Sequence, residues 1–298
     1  LIKKSLLFSA VLVLLFIGII KILRPLNPIT QHQWQGNLIK AEEYIYYKGA
    51  RNEQVILGSS LSNRLVMDSL SGFDNLSFPG EGIFDGLDII DHQKKPPKYV
   101  FIEMNIVMRS EDKIFLSSLF NPLFFEERKW IPALRDGRQP LAIGGMGVIY
   151  IVHGLINRLK PHRPSEESAN ALDANKSDLL EELVQREVIN YSQAPNQKIL
   201  KQSLDHLDDY VHAIEKKGAR VIFFEMPINP RLCDLLLPRT IREGFHQKFP
   251  KDRYAYIDQP SCALFKTTDG VHLNDEEAAR YSSYFKEMAQ ERIFEKSP

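Results

Sequence analysis

The stretch "VILGSSLSNRL", Val55 to Leu65, decides how this chain is read. Val55, Ile56 and Leu57 form an apolar run suited to a buried strand. Gly58 lets the backbone turn sharply, and two hydroxyls, Ser59 and Ser60, follow where the pattern turns helical. In a parallel sheet, side chains at the carboxyl end of a strand face the crevice where ligands bind. A serine there, at a helix start, also gains from the positive end of the helix, which stabilises developing negative charge. Ser60 is therefore a candidate nucleophile. The plainer alternative is a serine that only caps the next helix, and these four residues alone do not choose.

Outward from this stretch, strand and helix patterns alternate. "FDNLSF" (73–78), "KYVFIEMN" (98–105), "ARVIFFEMP" (219–227) and "YAYID" (254–258) read as further strands, "KYVFIEMN" with the continuous apolar character of a central parallel strand. Between them, "IFDGLDIIDHQ" and "NQKILKQSLDHLDDYVHAIEKKGA" carry helical spacing, the latter closing on Lys-Lys-Gly, a helix C-terminal signature. The last helix begins near "NDEEAARYSSYF", where Asn274 can cap and Glu277 can complete a capping-box-like pair. The alternation predicts an α/β domain of three layers, α/β/α, around a mostly parallel sheet.

Lys+Arg and Asp+Glu both number 38 in the 298 residues, so no charge excess points to a nucleic-acid partner. "SLLFSAVLVLLFIGII", Ser5 to Ile20, holds no charge, and a snorkelling Lys21 extends the apolar span to about Leu23. That length approaches a membrane-spanning helix of roughly 17–25 residues. The competing reading, a cleaved secretory signal, lacks an A-x-A-like site in the "KILRPLNPIT" that follows. The expected organisation is a transmembrane anchor over 1–24, a stalk and edge helix over 25–52, and an α/β domain over 53–298 with an insertion at about 106–200. With the short N-terminal tail inside, the domain lies outside the cytoplasm. Cys233 and Cys262 can then pair, or serve equally well as buried small hydrophobes.

Within the insertion, Ile114 to Leu159 is rich in large apolar residues yet broken by Pro122, Pro132 and Pro140. Lys160 to Asp178 is polar and reads as a loop. "GGMG" (144–147) lacks the strand-before, helix-after setting and the lysine of a phosphate loop. Glu103 and Glu225 each end an apolar strand and read as hydrogen-bonded strand-end residues, and Arg64 reads as a solvated helix residue. No histidine spacing suggests a metal site, and no cofactor is expected.

The second chemical motif is "TTDGVHLNDEEAARY", with Asp269 and His272 three apart before the final helix. A serine hydroxyl becomes a competent nucleophile when a base takes its proton, and imidazole is the usual base near neutral pH. A carboxylate on the other ring nitrogen fixes the tautomer and steadies the imidazolium.

Together, "LGSSL" and Asp269-Gly270-Val271-His272 resemble the serine and D-x-x-H blocks of the SGNH (GDSL-like) hydrolase and acyltransferase superfamily, with Ser59 standing where that family has aspartate. The resemblance covers roughly 53–105 and 219–285. It implies a triad of Ser60, Asp269 and His272, and an oxyanion hole built from the N–H groups of Ser60 and Gly80. Asn105 in "FIEMN" stands for the family's asparagine block, without the glycine and aspartate that normally surround it. Membrane-tethered members with GSS-type blocks work beside a membrane-bound O-acyltransferase and modify cell-surface polymers. The D-alanyl transfer protein of the teichoic acid pathway is one. The resemblance thus implies transfer of a small acyl group, such as acetyl, to an extracytoplasmic glycan. The alternatives are a membrane-anchored esterase or deacetylase, and a non-catalytic scaffold of an envelope assembly.

Overall fold

The computed structural model describes residues 2–22, 33–48, 52–138 and 166–294, and these divide into two compact units. One comprises Tyr47–Asp112 with Pro164–Pro298; the other comprises Leu1–Tyr46 with Lys113–Arg163.

The first unit is an α/β fold on a five-stranded sheet: β1 (Gln54–Gly58), β2 (Phe73–Ser77), β3 (Tyr99–Glu103), β4 (Arg220–Phe224) and β5 (Ala255–Tyr256). Every pairing is parallel, in the order β2-β1-β3-β4-β5, so the strand carrying Gly58 lies inside the sheet. Parallel strands covered by helices on both faces are apolar at every position rather than at alternate ones. The runs Val55-Ile56-Leu57, Val100-Phe101-Ile102 and Val221 to Phe224 are accordingly buried throughout.

Among the described residues the α-helices are α1 (Ile2–Ile22), α2 (Gln33–Glu43), α3 (Ile83–Asp91), α4 (Lys113–Leu119), α5 (Phe125–Trp130), α6 (Glu166–Tyr191), α7 (Gln197–Lys216), the single turn α8 (Pro230–Cys233), α9 (Leu236–Lys248) and α10 (Asp275–Phe294). Ile56, Phe101, Ile222 and Phe224 share one core with Ala278, Tyr281, Phe285 and Ala289 of α10. The Phe285 ring stands 5.5 Å from Phe101 and 5.0 Å from Phe224. On the other face Phe223 meets Phe245 of α9 at 5.5 Å, and α7 packs between α3 and α9. Full burial of each such ring contributes roughly 1.5–3 kcal/mol. Asn196 caps α7 by accepting from the N–H groups of Lys198 and Ile199, and Asn274 accepts from Glu277 N–H at the start of α10.

Two expectations change. Glu166–Asp178, read as loop, is the first half of α6; Glu166, Glu167, Ala169, Ala171, Leu172 and Ala174 are good helix formers. "GGMG" lies outside the described residues. The edge helix of the stalk, α2, belongs to the second unit, where it packs on α4 and on the turn Asp136–Arg138.

In that second unit Glu42 is buried beside Arg128 and Asp136. Burial, then the Asp136 charge, push its carboxyl up to about 7 against the pull of Arg128. Along α1 the side chains are exposed from Ile2 to Leu15 and half-covered from Phe16 to Gly18. Among the described residues no helix is long and apolar enough to cross a membrane. The expected anchor over 1–24 is therefore not supported by the described part of α1, whose described side chains end at Gly18.

Candidate active site

Ser60 sits two residues beyond β1, half-exposed. The expected α-helix does not follow it: two short 3₁₀ turns form instead, Ser62–Arg64 and Met67–Ser69. Charge stabilisation by a helix N-terminus, expected from the sequence, is thus not part of this site. The loop is held instead by a carboxylate. Glu103, at the end of β3 and fully buried, accepts through Oε2 from Ser59 N–H at 3.0 Å, Ser62 N–H at 3.1 Å and the Ser62 hydroxyl at 2.5 Å. Its Oε1 accepts from the Ser59 hydroxyl at 2.7 Å. From β2, Asn75 Nδ2 donates to Ser62 O at 2.9 Å, and Ser77 Oγ lies 2.8 Å from Ser62 Oγ. Gly58 is required because a Cβ there would stand 2.0 Å from Ser62 Oγ and 2.5 Å from Glu103 Oε2.

The second segment comes from the far end of the chain. Thr267 and Leu273 form an antiparallel bridge, and Thr268 N–H donates to His272 O at 2.8 Å, closing Asp269–His272 into a tight loop. Gly270 carries φ +99°, a conformation favouring glycine, and its carbonyl accepts from Asn229 N–H at 2.9 Å. Asn274 then caps α10 directly after the loop.

These constraints bring His272 Nε2 to 2.8 Å from Ser60 Oγ across 212 positions of sequence. His272 Nδ1 lies 2.6 Å from Asp269 Oδ2, while Asp269 Oδ1 accepts from Val271 N–H at 3.0 Å and His272 N–H at 2.8 Å. Burial by itself raises the Asp269 carboxyl. The imidazole and the two backbone donors outweigh burial and hold it down at about 2. An ionised Asp269 accepts the Nδ1 proton, leaving Nε2 as the acceptor that faces the serine.

Gly80 lies in a turn, Phe78-Pro79-Gly80-Glu81, closed by Glu81 N–H to Phe78 O at 3.0 Å, with Gly80 at φ +86°. Proline before a positive-φ glycine is the type II pattern. Phe78 N–H bonds Gly58 O at 3.2 Å, which sets this turn beside the end of β1. Among the described residues, the N–H groups of Ser60 and Gly80 meet no acceptor. Asn105 is largely committed elsewhere: its Nδ2 donates to Met226 O at 3.0 Å and its Oδ1 accepts from Met226 N–H at 2.8 Å. Only its second Nδ2 hydrogen stays open to the oxyanion role expected of it.

Glu103 was legible in sequence only as a strand end, and the clamp on Ser59 and Ser62 is its real work. Glu225 is paired with Arg242, Nε to Oε2 2.7 Å. Arg64 lies 3.6 Å from Asp275 on the surface. Cys233 and Cys262 form a disulfide, Cα atoms 6.5 Å apart, joining α8 to the segment that leads into the histidine loop. Among the described residues no group of His, Cys, Asp and Glu is arranged to hold a metal ion.

No family model, curated protein or solved structure matches this chain. The functional reading therefore rests on the residues and their geometry.

Proposed function

We propose that this protein is a serine acyltransferase of SGNH type that moves a small acyl group to a hydroxyl of an extracytoplasmic glycan. The observation that carries the reading is the Ser60–His272–Asp269 relay, with its 2.8 Å and 2.6 Å contacts. His272 Nε2 takes the Ser60 proton as Oγ attacks the carbonyl of the donor ester. The tetrahedral oxyanion meets the N–H groups of Ser60 and Gly80, each such donor contributing about 2.7–4 kcal/mol to lowering the barrier. The imidazolium then protonates the departing alkoxide, leaving acyl-Ser60. In the second half His272 deprotonates the acceptor hydroxyl, which attacks the acyl carbon, and the proton returns to Ser60 Oγ.

The acceptor and the location are read from the chain's other features. An apolar α1 suits a membrane anchor. Ile114, Leu123 and Trp130 of the second unit are each more than 70% exposed, which suits a neighbour in or at the membrane. A membrane-bound O-acyltransferase that supplies the acyl group is the partner this implies.

A fluorophosphonate probe tests the core of the reading. Wild-type chain is labelled and Ser60→Ala is not; equal labelling of both removes Ser60 from the mechanism. An acyl ester assayed with and without an oligosaccharide acceptor then separates transfer from hydrolysis. Fast turnover by water, with the glycan never acylated, refutes the transferase.

A further inference from the structure

Beyond the ends of β3 and β4 the α/β unit holds a recess lined by Asn105, Tyr191, Ile228, Leu237, Pro238 and Ile241, among others. β1 and β3 pair in parallel up to Leu57 and Ile102, so the loop carrying Ser60 and the segment carrying Asn105 leave the sheet at the same edge. The same wall is tied to the histidine loop, because Asn229, next to Ile228, donates to Gly270 O at 2.9 Å. The Asn105 amide, bonded to both polar atoms of the Met226 backbone, splices the β3 and β4 ends together.

Size and polarity define what fits. The recess has a cavity volume of about 30 Å³, and one water needs roughly 10–15 Å³. That is space for roughly two or three heavy atoms. The charged members of its wall, Glu225 and Arg242, are bonded to each other at 2.7 Å, and Arg242 also donates to Cys233 O. They leave no unmatched charge for a ligand to answer. The rest of the wall is largely aliphatic.

We infer that this recess is the acyl site and admits only short, uncharged acyl groups, with Ile228, Leu237, Pro238 and Ile241 setting the length limit. The inference rests on the proposed serine chemistry and adds the class of acyl donor. It separates acetyl and propionyl groups from longer chains and from aminoacyl or dicarboxylic ones.

The test uses the full chain in detergent with p-nitrophenyl acetate, butyrate and hexanoate. A methylene that a pocket cannot hold changes kcat/KM by roughly tenfold or more, so the wild type prefers acetate to hexanoate at least tenfold. Ile241→Ala, and independently the half-buried Leu237→Ala, shrink that ratio by about tenfold, while Leu237→Phe cuts butyrate more than acetate. Fluorophosphonate labelling of Ser60 in each variant reports whether the fold and the relay are intact. Widened variants that label at the wild-type rate yet keep the wild-type chain-length ratio overturn the recess assignment and leave the serine chemistry standing. An alanyl ester turned over as well as its propionyl counterpart also overturns it. A wild type that the probe does not label sinks the serine chemistry, and the recess assignment with it.

Discussion

The clamp under the Ser60 loop makes the most searching prediction. Glu103, Ser59 and Ser62 are each fully buried, so the Ser59 and Ser62 N–H groups cannot turn to water when the carboxylate is removed. Each buried donor left without an acceptor costs about 1–3 kcal/mol, so Glu103→Ala destabilises the α/β unit by about 2–6 kcal/mol from these two amides alone. The hydroxyls add less, because Ser62 Oγ retains Ser77 Oγ at 2.8 Å. Glu103→Gln separates charge from geometry. An amide oxygen at the Oε2 position preserves three of the four bonds, and the amide nitrogen faces Ser59 Oγ, which can rotate to accept. Hydrogen bonds to an ionised acceptor are roughly twice as strong as neutral ones, so this variant loses about 1–3 kcal/mol. Urea unfolding followed by circular dichroism measures both, and fluorophosphonate labelling at low urea reports the loop. The order wild type, Gln, Ala is expected in stability and in Ser60 labelling rate. An alanine variant that matches wild type in both refutes the clamp.

Gly58→Ala forces a methyl against Ser62 Oγ and Glu103; overpacking of this kind costs about 1–3 kcal/mol, read as a lower urea midpoint with slower Ser60 labelling. Asp269 titrates at about 2 in the fold against an ordinary 3.8, so its contribution to stability is present above about pH 4 and disappears as pH falls through about 2. Asp269→Asn flattens that acid limb of the melting temperature and sharply lowers turnover at pH 7; an unchanged limb refutes the assignment. Replacing Cys233 and Cys262 together by serine releases a cross-link spanning 29 positions, worth about 3–4 kcal/mol in the chain-entropy treatment. Reducing agent lowers the wild-type melting temperature to that of the double variant and leaves the variant unmoved.

The sequence alone determined the five strands and their order along the chain. Continuous apolar runs such as Val100 to Ile102 have one economical use, a parallel strand covered on both faces, and the helical spacing between such runs settles α/β. It also supplied the chemistry of the relay, because a serine after a strand and an aspartate three before a histidine are readable one by one. Tertiary structure decided what depends on pairing across distance. Neither Ser60 nor His272 carries any local sign of the other, and the 2.8 Å contact exists because the sheet order and the Asn229–Gly270 bond bring two loops to one edge. The clamp by Glu103 was hidden for the same reason: a glutamate ending a strand looks alike whether it meets water or four buried donors. So was the grouping of α2 with α4, since an amphipathic helix states that it has an apolar side and not what covers it.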